Sequence, residues 1–132
     1  MHPGSPVSGT AAASAAATRR QHWDRLGLGI RCGYDPQQPA LIWRYLALGT
    51  RLADCGGLPR RQAFQRMLQL LLQTAHDEAL PWYWRSVCLE HTTLPLARLV
   101  HLVRPGAPDL AEAWIGEVSA AQDRLAACQP AP

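Results

Sequence analysis

The chain has 132 residues and a formal net charge of +3, and apolar residues make up 48% of it. This length suits one domain and excludes a large multidomain enzyme, yet it allows a hydrophobic core without metal or disulfide support. Ala and Leu together supply 40 residues, whereas Val, Ile and Thr supply 14, and this balance predicts an all-α fold.

The first segment, residues 1–18, is predicted to be a disordered tail. It consists mainly of Ala, Ser, Gly, Thr and Pro, so burial of its side chains could not offset the ordering entropy. It lacks the basic start and apolar centre of a secretory signal. No apolar run in the chain approaches the roughly 18 residues of a membrane span. We therefore expect a cytoplasmic protein with reduced thiols and no membrane partner.

Apolar residues three and four positions apart mark the inner faces of four predicted helices. The first, near residues 19–30, would bury Trp23, Leu26 and Ile30. The second, which follows Asp35-Pro36, would bury Ile42, Tyr45, Leu46, Gly49, Leu52 and Ala53. The third, which follows Pro59, would bury Phe64, Met67, Leu68, Leu71, Leu72 and Ala75. The last, near residues 109–127, would bury Leu110, Trp114, Val118, Ala121, Leu125 and Cys128.

Helix starts can also be predicted from the sequence. Asp35 suits an N-cap, Pro36 suits the first helical position, and Gln38 would complete a capping box, so the second helix is predicted to begin at Pro36. Pro95 lies at the boundary between two further predicted helices or kinks a single one.

Those two helices, near residues 81–92 and 93–103, complete the predicted secondary structure. We expect a compact bundle of five to six helices in a single domain over residues 19–128. Residues 129–132 are predicted to be a disordered C-terminus.

Three consecutive aromatic residues and an arginine occupy positions 82–85. Successive residues of a helix point about 100° apart, so the four cannot share one face and some are expected to be exposed. Because Trp, Tyr and Arg are frequent anchors of protein contacts, we predict that these residues bind a protein partner: Trp82, Tyr83, Trp84 and Arg85. The alternative interpretation is that the tryptophans fill gaps between short helices.

Cys88 and His91 lie three positions apart on one predicted helix, so both could bind the same metal ion. A zinc site needs three or four protein ligands, and the four cysteines form no C-x-x-C pair. The missing ligands would have to come from His76, Cys32, Cys55 or a second chain. We expect no cofactor, and iron, zinc or haem at Cys88 and His91 is the alternative.

A second pattern suggests DNA binding. Residues 52–59 read L-A-x-x-x-G-L-P and precede a basic helix, which resembles the turn and recognition helix of repressors of the IclR kind. Arg60, Arg61 and Arg66 would then face DNA. Residues 19–85 carry ten arginines against five acids, which permits an anionic partner. The preceding helix, however, is longer than the usual first helix of this motif.

The most specific run in the chain is A-L-P-W-x-W-R-S-x-C-L at residues 79–89. Together with the looser pattern over residues 28–100, it resembles the FagA proteins of pseudomonads and related bacteria. The resemblance implies a small cytosolic protein whose gene is repressed by iron through the Fur regulator. It also implies a gene neighbourhood with fumarase C and manganese superoxide dismutase. It supplies no catalytic residues and does not extend to the helix after Arg104.

Enzymatic motifs are missing from the sequence. It has no G-x-S-x-G elbow, glycine-rich phosphate loop or H-E-x-x-H pair. We therefore expect a non-enzymatic binding or adaptor protein, monomeric or homodimeric, that serves iron limitation or oxidative stress. The alternatives are a DNA-binding regulator and a metal or haem carrier.

Overall fold

The computed structural model describes residues 4–131, and all the regular structure in this range is helical. The six helices follow one another in chain order: α1 (Gly4–Cys32), α2 (Ala40–Asp54), α3 (Arg60–His76), α4 (Trp82–Glu90), α5 (Thr93–Val103) and α6 (Pro108–Ala127). They form a compact bundle, so the predicted fold class is confirmed. Among the described residues, none of the helices has the length and apolar character that a membrane crossing requires.

Helix α3 is the central element of the bundle and contacts each of the other five helices. The reason lies in its sequence, because apolar residues occupy more than one side of the helix. The six predicted inner residues of α3 are all buried, and Ala63 and Thr74 join them. The Thr74 hydroxyl donates to the Leu70 carbonyl at 2.7 Å, so this buried polar side chain is satisfied.

The inner face of α2 also agrees with the prediction, since its six predicted residues are the six that are buried. Gly49 lies where α1, α2 and α3 meet. A Cβ atom at Gly49 would lie 2.7 Å from Met67 Sδ and 2.8 Å from Trp23 Nε1. The three helices therefore approach this closely only because position 49 has no side chain.

The start of α2 corrects one prediction. The helix begins at Ala40, and no side chain caps its N-terminus, so Asp35 and Gln38 do not form the predicted capping box. Instead, the Gln38 amide donates to the Asp35 carbonyl at 3.0 Å in a turn. The cause is Pro39, because its ring would clash with the carbonyl four residues earlier if the helix had begun at Pro36.

Helix α1 begins at Gly4, within the segment that was predicted to be a tail. Six of the seven residues at positions 11–17 are alanine, the residue with the highest helix propensity, and this favours helix over that part of α1. Between residues 11 and 22, each side chain whose burial is described is exposed except the half-buried Ala16, so these side chains lie outside the core. Trp23 and Ile30 of α1 are buried as predicted, whereas Leu26 is half-buried.

The remaining boundaries are close to the predicted ones. Pro95 lies in the first turn of α5, so the chain does divide into two helices here. Cys128 was expected in the inner stripe of α6, but it follows the end of that helix and is exposed. Residues 129–131 are exposed and have no regular structure. Residues 1–3 and 132, which belong to the predicted tail and C-terminus, lie outside the described residues.

Candidate functional site

The aromatic run at the start of α4 does not form one surface. Trp84 is 0% exposed, and its indole N–H donates to the Ile30 carbonyl at 2.9 Å. Cys88 lies one turn further along the same side of α4 and is buried as well. Trp84 therefore fills the space between α4 and the end of α1, and the prediction that a partner contacts Trp84 has to be corrected.

Two neighbours of Trp84 in the aromatic run contact other helices, and the third is exposed to solvent. Trp82 is half-buried and donates its indole N–H to the Leu125 carbonyl of α6 at 3.1 Å. Arg85 donates through Nε to the Ala75 carbonyl of α3 at 2.8 Å. Both side chains hold α4 against the ends of other helices. Tyr83, which is 55% exposed, is the one member of the run whose ring faces mainly solvent.

A groove beside this run has a different character. We call it the Trp43 groove; it has a volume of about 550 Å³ and lies between α2, the end of α4 and α5. Most of its surface is apolar, although four of its eight lining residues have polar side chains: Trp43, Leu46, Glu90, His91, Thr93, Leu94, Ala97 and Arg98. A concave, mainly apolar site with a few polar groups is the usual form of a binding site.

Trp43 is the largest exposed apolar side chain in this groove, with 61% of its surface accessible. Its ring meets the His91 ring edge-on, with centroids 5.1 Å apart and planes at 88°. His91 is held in turn, because its Nδ1 lies 2.8 Å from the Val87 carbonyl oxygen. This contact fixes one edge of the Trp43 ring and leaves much of the ring open to solvent.

The Trp43 groove also contains one acidic and one basic side chain. Glu90 and Arg98 both line it, and neither belongs to any of the four ion pairs within residues 4–131. The Arg98 guanidinium lies 5.8 Å from the centroid of the Phe64 ring. The groove therefore presents one acid and one base without an ionic partner beside an exposed tryptophan.

Glu90 also borders a smaller groove of about 270 Å³ between α4 and α6. Trp82 and Leu125 line this second groove, so the half-buried ring of Trp82 is accessible from it. The two grooves have Glu90 in common. The predicted contact region was thus close to a real concave surface, but Trp43 and Glu90 rather than Trp84 define it.

The geometry at Cys88 and His91 gives little support to a metal site. Burial raises the pKa of the Cys88 thiol to about 12, whereas a metal binds the thiolate. Nδ1 of His91 already faces the Val87 carbonyl. Within the described part of the chain, no three His, Cys, Asp or Glu side chains are placed to hold a metal ion together. Iron, zinc or haem binding stays a hypothesis that lacks a third ligand there.

The three arginines of the DNA-binding alternative lie on α3. Arg60 pairs with Asp54 at 2.6 Å. Arg66 pairs with Asp24 at 3.0 Å, and its guanidinium lies 4.6 Å from the centroid of the Trp23 ring. Arg61 is exposed and belongs to none of the ion pairs. Two of the three positive charges are therefore engaged by carboxylates, which weakens the basic surface that DNA requires.

The sequence reasoning did not single out Trp43. A signal was present, because Trp43 falls outside the apolar positions of α2 that face the core. A large aromatic residue on the outer side of an amphipathic helix is a better indication of an exposed ring than a run of aromatic residues.

Comparisons of the chain with models of protein families, with curated proteins and with solved structures found no match.

Proposed function

We propose that the protein is a non-enzymatic binding module and that its partner is a protein segment that docks in the Trp43 groove. One observation carries this proposal: Trp43 is 61% exposed at the edge of a concave, mostly apolar surface. Burial of such a ring by a partner is favourable, and tryptophan is the residue most often found at the energetic centre of protein contacts.

The charges in the groove define the chemistry of the partner. Glu90 and Arg98 have no ionic partner among residues 4–131. A docked segment that brings a basic residue to Glu90 and an acidic residue to Arg98 would satisfy both charges. The proposed partner segment therefore carries an apolar anchor between a basic and an acidic side chain. Trp82 lines the second groove, which has Glu90 in common with the Trp43 groove.

A role in iron limitation or oxidative stress is a further part of the proposal, and its support is the sequence resemblance over residues 28–100. Its test is independent of any binding site. The transcript of the gene should rise when an iron chelator is added to growing cells. A transcript level that does not respond to iron would remove this part and leave the binding proposal untouched.

The binding proposal is tested with a phage-displayed library of short random peptides selected on the purified protein. We expect the enriched peptides to share an apolar residue flanked by a basic and an acidic one. Trp43→Ala should weaken the selected peptides at least about tenfold. Tyr34→Ala is the matched control, because Tyr34 is also an exposed aromatic residue, at 72%, but it does not line the groove.

A charge exchange makes the test specific. Glu90→Lys should weaken a selected peptide, and the same peptide with its basic residue changed to Glu should bind the Glu90→Lys protein again. Equal binding by the Trp43→Ala and Tyr34→Ala proteins would overturn the assignment of the groove. Absence of any enriched peptide would overturn it as well.

A further inference from the structure

A second concave site lies between α3 and α6 and shares no residue with the Trp43 groove. We call it the Trp114 groove; it has a volume of about 500 Å³. Trp114 and Leu72 supply its apolar part, and the remaining side chains are polar or small. This volume matches that of small-molecule sites, for which about 300 to 1,000 Å³ is typical.

The polar side chains of the Trp114 groove come from regular positions on two helices. Gln69, Gln73 and His76 follow each other at intervals of four and three residues on α3. Glu117 and Arg124 lie seven residues, or two turns, apart on α6. Residues at these intervals lie on the same side of a helix, so both rows face into the groove.

The two charged residues of α6 are opposite in sign and do not pair with each other. None of the four ion pairs among the described residues includes Glu117 or Arg124. Two turns of helix separate their Cα atoms by about 10.5 Å, which leaves space between the two side chains for a ligand. Ala120, which lies between them, has a small side chain that keeps this space open.

His76 adds hydrogen-bonding capacity at the same place. Partial burial lowers the pKa of His76, and the nearby positive charges of Arg124 and Arg85 lower it further, against an opposite effect of Glu117. This shift favours the neutral form of His76, and Arg124 supplies a positive charge to the groove. The Gln69 and Gln73 amides each offer both a donor and an acceptor.

We propose that the Trp114 groove binds a small zwitterion of the aromatic amino-acid class. The carboxylate of the ligand would pair with Arg124, its ammonium group would pair with Glu117, and its ring would lie against Trp114. Arginine binds carboxylates through two parallel hydrogen bonds, and an aromatic ring prefers an offset or edge contact with a second ring. The Gln69 and Gln73 amides would accept or donate the remaining hydrogen bonds.

The test uses isothermal titration calorimetry on the full chain with three probes. L-Phenylalanine carries both charges, 3-phenylpropionate lacks the ammonium group, and phenethylamine lacks the carboxylate. We expect saturable binding of phenylalanine, with each of the other two probes weaker by about tenfold, since each loses one charge-assisted contact. If phenylalanine does not bind saturably, or if a singly charged probe binds as tightly, the proposal is overturned.

Two variants assign the charges separately. Arg124→Gln should lower the affinity for phenylalanine to that of phenethylamine and leave phenethylamine binding unchanged. Glu117→Gln should produce the corresponding result with 3-phenylpropionate. Arg51→Gln is the control, because Arg51 is an exposed arginine on α2 outside both grooves.

The proposal for the Trp43 groove and the proposal for the Trp114 groove can be tested independently. Trp43→Ala should leave phenylalanine binding unchanged, since Trp43 does not line the Trp114 groove. If the Arg124→Gln and Glu117→Gln proteins bind phenylalanine as the unaltered protein does, the site lies elsewhere and the Trp114 groove is not an amino-acid site.

Discussion

Trp84 and Trp43 are the same residue type in two amphipathic helices, yet they have opposite roles. Trp84 is fully enclosed and its indole N–H donates to the Ile30 carbonyl in the last turn of α1, which also accepts from the Gly33 amide at 3.1 Å. Trp43 stands on the outer side of α2 and touches one other ring, that of His91. The position of a tryptophan relative to the apolar stripe of its helix therefore decides whether its ring is enclosed or exposed. The number of aromatic residues next to it in the sequence does not.

The comparison also concerns helix ends. Trp84 and Trp82 both donate to carbonyls near the ends of neighbouring helices, Ile30 in α1 and Leu125 in α6. Each of these carbonyls also accepts a backbone amide at 3.1 Å, from Gly33 and Cys128 respectively, so the indole N–H from α4 is a second donor that joins α4 to the helix end. The aromatic run thus joins three helices, and the Trp43 groove, where we propose that a partner docks, lies beside it.

The largest expected effect on the free energy of unfolding comes from replacement of Trp84. Trp84→Ala should lower the free energy of unfolding by about 3 to 5 kcal/mol, because it leaves a cavity and removes the donor to Ile30. Urea unfolding followed by circular dichroism measures this change. Trp84→Phe keeps most of the buried surface and should cost less, mainly the hydrogen bond and part of the ring volume. A loss below about 1 kcal/mol for Trp84→Ala would mean that the ring is not enclosed in solution.

Alkaline pH tests whether the inner side of α4 is sealed. Burial raises the pKa of the Cys88 thiol from 9.0 to about 12, and burial also raises the pKa of Tyr45. Below about pH 9 the Cys88 thiol is protonated in both the folded and the unfolded protein, so this group does not make the free energy of unfolding depend on pH. Between about pH 9 and 12 the unfolded thiol ionises and the folded one does not, so stability should fall as pH rises.

The size of that fall has an upper limit. One thiol contributes at most about 1.4 kcal/mol for each pH unit in this range. Urea unfolding at several pH values measures the slope, and Cys88→Ala should make it shallower. At neutral pH a thiol reagent should modify Cys32, Cys55 and Cys128, which are exposed, far faster than Cys88. Rapid modification of all four thiols in the native protein would contradict the burial of Cys88.

The inner faces of the helices could be predicted because hydrophobic periodicity depends only on the chain itself. All six predicted inner residues of α2 and all six of α3 are buried. The Trp43 groove could not be predicted in the same way. It depends on how the ends of α4 and α5 lie against α2, and such packing between distant segments leaves no local pattern at Glu90 or Arg98.

The start of α2 shows a second limit of sequence reasoning. Asp35, Pro36 and Gln38 satisfy a capping pattern for a helix that begins at Pro36. Pro39, three residues after Pro36, is incompatible with such a helix. The steric effect of Pro39 therefore outweighed the capping pattern. The disagreement at Trp84 is of another kind, since the sequence does not show which of three adjacent rings will find a carbonyl of another helix.

An intermediate effect is expected on the inner side of α2. Gly49→Ala should lower the free energy of unfolding by about 1 to 3 kcal/mol, because its Cβ would meet Met67 Sδ at 2.7 Å and Trp23 Nε1 at 2.8 Å. Gly116→Ala is the matched control in α6, where nothing lies within 4 Å of the added atom. The control should be more stable than the unaltered protein by about 0.5 to 1 kcal/mol, since alanine favours helix. Opposite signs in urea unfolding support the close approach, and equal signs contradict it.

The smallest expected effect completes the comparison. Trp43→Ala should change the free energy of unfolding by about 0.5 kcal/mol or less, because most of the ring is exposed and its one aromatic partner is the His91 ring. Iodide should quench the fluorescence of the unaltered protein partly, and the quenchable fraction should fall in Trp43→Ala, whereas the shielded emission of Trp84 should remain. A destabilisation comparable with that of Trp84→Ala would place Trp43 in the core and remove the basis of the binding proposal. A ring that contributes little to stability and much to partner binding is what separates a contact residue from a packing residue.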